Sequence, residues 1–406
     1  MDEDGRATFT AELARRRAAE GLPLAALAAV AHVHRAYLHR VETGHRWPTE
    51  PVARLLDDAL HAHGVLHAAW RAGETARRAA AEDARCLATS VRESERLDVL
   101  LDDVPLGEAV TAAEQAAATL AVDYLRQSPA PMLRAALTAR TAAVRELDRA
   151  PSTGQRRDLI RVAGYLSGVL AYAALDLNHP GAAARHAATA WRCAEATGDR
   201  ELAAWVRGTQ SLIARFDHQF PTALALARDG LDHAGGGSAS ARLLSGVAQS
   251  AANLGDRVEA HRGLNAAEDA ADRAGPDAFC GLFTFSRAKL HYYSGSALIW
   301  LDQPADARRA AASAGTGITL WQTGDPADRS LKDEALAGVY AATAHVQLDE
   351  LDAATAMLAP VLALPVERRI SWLHRRVARV GDLLTAPRFT GSTAARDLRA
   401  EIEAFG

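Results

Sequence analysis

A short junction recurs through the C-terminal two-thirds of this 406-residue chain. It reads Leu177-Asn178-His179-Pro180, then Phe216-Asp217-His218-Gln219, Leu254-Gly255-Asp256-Arg257, Leu301-Asp302-Gln303-Pro304 and Leu348-Asp349-Glu350-Leu351. Each lies between an apolar helical segment and an alanine-rich one, and the leading apolar residues are 39, 38, 47 and 47 positions apart. Self-similarity at such intervals predicts stacked helical hairpins, because a lone hairpin cannot bury its own apolar face. Alanine, arginine and leucine dominate, and runs of Val, Ile, Tyr or Phe are few. Strands are therefore disfavoured, and the fold class expected is all-α.

The N-terminal part has a different organisation. Leu22 to Gly44, LPLAALAAVAHVHRAYLHRVETG, reads as two short helices and a tight turn. Leu24 to Ala31 forms the first, with Leu27 and Val30 as its apolar points. Ala31-His32-Val33 is the turn, and His34 to Glu42 is the second helix, with Leu38 and Val41 inward and Gly44 closing it. Two short helices need a third to cover their inner faces. Thr8 to Glu20 supplies it through Phe9, Leu13 and the stem of Arg17. After the loop His45-Arg46-Trp47-Pro48, a fourth helix opens at Thr49 or Glu50, with Val52, Leu55, Leu56 and Leu60 inward. Leu66 to Trp70 makes a short fifth, and Arg71 to Glu74 marks a boundary. Beyond it, residues 74–103 form a helical spacer or, on a second reading, a contact between subunits.

The run Arg-x-Tyr-Leu-x-Arg-Val-Glu-x-Gly with the following Pro48 resembles the helix-turn-helix of the XRE family of DNA-binding proteins. This resemblance covers Phe9 to about Trp70. It implies that the second motif helix lies in a DNA major groove. It places His34, Arg35, Ala36, His39, Arg40, Thr43 and Arg46 at the DNA, and Arg35 and Arg40 suit guanine edges or phosphates. It also implies a structural ion pair between Arg17 and Glu42. Leu24, His32 and His34 stand where that family often has glutamine, glycine and serine. His32 must then take an unusual backbone angle or shift the turn. Leu254-Gly-Asp-x-x-x-Ala and Leu348-Asp-Glu-Leu-Asp-Ala-Ala resemble the middle of a tetratricopeptide (TPR) repeat. Taken whole, the chain resembles XRE regulators with C-terminal TPR-like repeats. That implies 1–72 as the DNA-binding domain, 73–105 as a helical linker, 106–385 as a TPR-like domain for effector binding and dimerisation, and 386–406 as a C-terminal helix.

Composition narrows the classes further. The formal net charge is −4, so no general basic field draws nucleic acid to the chain. From Gly5 to Gly73, nine arginines face six acids, a weak footprint that a homodimer would double. The three cysteines, Cys86, Cys193 and Cys280, are far apart and form neither a disulfide framework nor a zinc motif. The start lacks a signal peptide's apolar core and no apolar run is read as reaching membrane-spanning length, so a cytoplasmic location is expected. Lysine occurs only as Lys289 and Lys332, read here as the mark of a GC-rich genome.

On the first helices of the hairpins fall Arg161, Tyr165, Arg207, Gln210, Asn253, Arg287 and Tyr292, which we take as an effector groove for a peptide, small molecule or protein. Their bland alternative is inter-repeat core for the aromatics and solvated face for the polar groups. Asn253 is singled out because an amide can bind peptide N–H and C=O together. His63 and His67 are four apart, but no further ligand completes a metal set. Gly235-Gly236-Gly237-Ser238 lacks the lysine of a phosphate loop. No catalytic constellation, metal or cofactor is expected. The leading reading is a DNA-binding transcriptional regulator; the alternative is an interaction scaffold with a degenerate helix-turn-helix.

Overall fold

The computed structural model describes residues 3–101, 110–150, 153–277, 279–301 and 303–405. Asp302 of the fourth junction, the start of the repeats near Leu106, and Met1-Asp2 lie outside them. Every regular element among the described residues is helical. They divide into two compact units, Met1–Ala88 and Thr89–Gly406.

The first unit holds α1 (Glu3–Ala19), α2 (Leu24–Val30), α3 (Arg35–Glu42), α4 (Glu50–Ala59) and the beginning of α5 (Val65–Leu101). Phe9, Leu13, Leu27, Leu38, Val41, Leu56, Leu60 and Leu66 are buried in its core. His32 adopts φ 52° and does what glycine does at such a turn. Its N–H donates to Ala29 O (3.2 Å) and the Val33 N–H to Ala28 O (2.9 Å), so the last carbonyls of α2 stay satisfied. Two inward assignments are corrected. Val30 is 56% exposed and Leu55 39% exposed. Leu27, Ala28 and Ala31 already form the inner side of α2, and Val30 lies off it. The fifth helix is also far longer than Leu66 to Trp70. Asp57 holds its start, accepting from Gly64 N–H (2.7 Å) and His67 N–H (3.1 Å). A helix-interior glycine such as Gly73 costs only about 1 kcal/mol. Just beyond it, Glu74 bridges to Arg77 (3.0 Å) and Arg78 (2.9 Å), so α5 runs on.

The second unit continues with α6 (Val110–Asp123), α7 (Pro129–Arg149), α8 (Thr153–Asp176), α9 (Pro180–Thr197), α10 (Arg200–Phe216), α11 (Phe220–Leu231), α12 (Ala239–Asn253) and α13 (Arg257–Arg273). There follow α14 (Arg287–Leu298), α15 (Pro304–Thr323), α16 (Leu331–Gln347), α17 (Leu351–Leu362), α18 (Ser371–Leu383) and α19 (Thr393–Phe405). From α8 on, consecutive helices pair as hairpins, and the first members α8, α10, α12, α14, α16 and α18 also pack on one another in an inner row. The junctions turn through left-handed residues: Asn178 (φ 65°), His218 (φ 59°), Gly255 (φ 79°) and Asp349 (φ 63°). Asparagine, aspartate and glycine tolerate that region best, which explains their recurrence.

Contrary to the sequence expectation, α8 is long and apolar enough to cross a membrane by length and composition, and most of it is buried inside this unit. It packs against α7 and α9, and that location accounts for its apolar character. The inner row also closes on itself. Ser371 Oγ donates to Leu175 O (2.8 Å), the Arg375 guanidinium to Phe216 O (2.8 Å), and Leu331 N–H to Leu125 O (2.9 Å). Lys332 bridges to Asp176 at 2.9 Å.

A polar knot fastens the end of α5 to this unit. Ser90 Oγ lies 2.9 Å from His186 Nε2, and Ser94 Oγ lies 2.6 Å from Nδ1. The fully buried Arg140 donates to Ser94 Oγ, Ser167 Oγ and Ser90 O. Burial, aided by the charge of Arg140, holds the His186 pKa well below 6.5. The unfolded chain takes up this proton near pH 6.5 and the folded chain does not, so stability is present above 6.5 and falls as pH drops below it. One such group contributes a slope of up to about 1.4 kcal/mol per pH unit. In urea titrations from pH 7.5 to 5, His186→Gln will show a shallower acid loss than the parent; equal slopes would exclude His186 as the source.

Candidate nucleic-acid interface

The helix α3 owes its position to both of its ends. His34 is its N-cap, and His34 Nδ1 accepts from Ala36 N–H at 3.2 Å. Histidine thereby does the work of the serine usual in such motifs. At the far end Thr43 Oγ1 donates to His39 O (2.8 Å) and meets His45 Nδ1 at 2.9 Å. Leu38 and Val41 are buried, while the N-cap His34 and Arg35, Ala36, His39 and Arg40 of α3 are all exposed. Thr43 and Arg46 are exposed as well. The Arg46 N–H donates to Arg40 O (2.8 Å), and its guanidinium lies 5.3 Å from the Tyr37 ring centre. The chain after α3 is thus folded back beside it. Trp47 turns to the core and meets Phe9 edge-on at 5.4 Å.

Charge is arranged to match. Among the described residues, Arg35, Arg40 and Arg46 have no ion-pair partner, whereas Arg17 pairs with Glu42 at 2.7 Å. The nearby acids are occupied elsewhere. Glu50 holds Arg54 (2.7 Å) and His67 (3.3 Å), which keeps its carboxyl pKa lowered, and Asp57 is buried beneath α5. Three free guanidiniums on and beside one exposed helix face suit a phosphate-lined groove. Arg17→Ala would strand the half-buried Glu42 carboxylate and remove a donor to Leu22 O. A loss of about 1–2 kcal/mol is expected, below the figure for a fully buried pair because both groups keep some solvent. Thermal unfolding beside Arg17→Ala/Glu42→Gln, in which the stranded charge is relieved, checks this.

The residues assigned to an effector groove separate in the folded second unit. Arg161 pairs with Glu114 (2.6 Å). Tyr165 is buried against Phe279 and Phe283, with ring centres at 4.1 and 4.8 Å. Arg207 stacks over Trp191 at 3.6 Å, pairs with Asp229 and donates to Gln210. Arg287 is exposed and pairs with Asp272. Arg207 and Gln210 touch each other, and Asn253 and Tyr292 share the wall of a cavity of about 70 Å³ inside the inner row. Asn253 is tied there, donating to Gln249 O (3.1 Å) and accepting from Trp300 Nε1 (3.3 Å). Sequence reasoning missed most of the charged wall: Asp176, Arg242, Lys289, Lys332, Asp333 and Arg376. The signal available was lysine itself, since the only two lysines of the chain both line this one cavity.

Residues 8–70 match a family model described as a helix-turn-helix domain. No curated protein matches the chain. The chain therefore carries an N-terminal helix-turn-helix domain, which implies DNA binding and transcription regulation, followed by a long all-helical region.

Proposed function

We propose that the protein is a transcriptional regulator of the XRE type that reads an operator through α3 and senses an effector in its TPR-like inner row. The observation that carries the DNA part is the exposed, unpaired set Arg35, Arg40 and Arg46 beside a buried Leu38–Val41 face. Arg35 at the first turn reads base edges, while Arg40 and Arg46 grip phosphate. The protein acts as a homodimer on two half-sites spaced by roughly one helical turn, about 34–36 Å. Regulation follows if the effector binds two arrangements of that dimer with different free energies. A regulator, not an enzyme, is the reading that a helix-turn-helix domain supports.

Selection from a random duplex pool by the full chain tests the proposal. Enrichment of one motif with two related halves is the expected result. A pool that stays random after repeated rounds rejects operator reading and favours the scaffold alternative.

A further inference from the structure

We propose that the cavity of the inner row is a binding site for a small organic acid, its carboxylate or phosphate head seated among cations and its apolar body leaning outward. This rests on the effector reading above and names the chemistry of the effector. The wall carries one cation from each of five successive inner helices: Arg215 (α10), Arg242 (α12), Lys289 (α14), Lys332 (α16) and Arg376 (α18). Two carboxylates face them, Asp176 and Asp333. Among the described residues only Lys332 has a carboxylate partner, Asp176, which also accepts from Tyr124 OH (2.6 Å). Burial raises the Asp333 pKa against the opposing pull of Lys289 and Lys332.

The other four cations are held by neutral groups among the described residues. The buried Lys289 ammonium donates to Gly281 O (3.0 Å) and Thr284 O (2.6 Å), two neutral carbonyls, which leaves its third proton. Arg242 donates to Trp205 O (2.5 Å), Tyr172 OH (2.9 Å) and Thr209 Oγ1 (3.0 Å). Arg215 donates to Gln249, and its Nε has no acceptor. Arg376 sits between Trp300 and Trp372, each ring centre 5.1 Å away, and its buried Nε also has no acceptor. Packing five cations against two carboxylates around one small space leaves an excess of positive charge that an anion would offset. Arginine supplies every other cation of the chain, so two lysines placed together here are a local choice; a compact ammonium is a point donor to an oxyanion.

Size sets the rest of the ligand. A cavity of about 70 Å³ takes a head group and not a whole metabolite. A second recess of about 420 Å³ shares Leu125, Lys332 and Ile370 with it, and Ile318, Leu331, Met357, Val361 and Leu364 give that recess an apolar lining. An acid whose apolar body passes these three shared side chains would occupy both. The wall takes Arg376 from α18 and Tyr172 and Asp176 from α8, so a bound acid also sits beside the closure between these two helices.

Titration calorimetry of the full chain, without DNA, with benzoate, phenyl phosphate and the neutral benzyl alcohol tests this. Saturable binding of one or both acids is expected, and their ratio separates a carboxylate from a phosphate site. Benzyl alcohol should bind at least tenfold more weakly. Arg376→Gln, which breaks no hydrogen bond among the described residues, and Lys289→Met should each weaken the acid at least tenfold with helicity retained, and Arg149→Gln on the outside should not. Failure of both acids to bind, equal binding of benzyl alcohol, or unchanged affinity in Arg376→Gln would overturn the site. The same acids are then added to protein on its selected duplex at fixed ionic strength. Binding without a change in DNA affinity would leave the site standing and overturn its coupling to DNA.

Discussion

Arg35→Ala is expected to weaken binding to the selected duplex roughly ten- to a hundredfold, the loss of one bidentate base contact of about 1–3 kcal/mol. The N-terminal unit should remain folded, because Arg35 is exposed at the start of α3 and has no ion-pair partner among the described residues. The quality of the loss matters as much as its size. A base-reading arginine relaxes the preference at one position of each half-site and leaves the salt dependence of the rest nearly unchanged. A phosphate contact weakens all sequences alike and lowers the salt slope by about one ion. Arg40→Ala and Arg46→Ala should show the second pattern. Fluorescence anisotropy on the selected duplex and on single-base variants, at two salt concentrations, separates them.

The largest stability effect is expected at Gly281. Its φ is +69°, and a Cβ there would strike Ala121 O, lie 2.5 Å from Ala121 C and 2.7 Å from Val122 N. Those atoms belong to the backbone of α6 and cannot swing aside as a side chain would. Gly281→Ala therefore adds the cost of a left-handed alanine, about 1–2 kcal/mol, to an overpacking cost of about 1–3 kcal/mol. The 280s segment would move, and with it Gly281 O, an acceptor of the Lys289 ammonium. Gly255→Ala is the control. Gly255 has φ +79° and nothing within 4 Å of the added Cβ, so it meets the backbone cost alone. Thermal unfolding should place Gly281→Ala well below Gly255→Ala; equal losses would show that α6 yields.

The helical architecture was legible because its signals are local. A left-handed residue ends α8, α10, α12 and α16, and the sequence shows each as a junction of Asn, His, Gly or Asp behind a leucine or phenylalanine. The motif turn was legible even through its departure, since His32 takes the backbone angle that its position demands. The exposed face of α3 followed from the burial of Leu38 and Val41 one helical turn apart. Val30 misled because α2 has seven residues, too few for an apolar stripe to declare its direction.

What stayed hidden depends on closure. Leu125 meets Leu331, Leu175 meets Ser371 and Phe216 meets Arg375, pairs that no short-range pattern connects. Only that closure turns scattered inner-row cations into one wall, so Lys289 and Lys332 read as compositional accidents when taken singly. Asn253 lies on the inner row, where its amide reaches Gln249 O and Trp300 Nε1.

The most direct test of operator reading is genome-wide capture of DNA by the purified full chain, beside Arg35→Ala, at two salt concentrations. Sharp peaks sharing one motif, persisting at the higher salt and lost in the variant, are the predicted result. Diffuse capture that vanishes with salt and is the same in both proteins would contradict it.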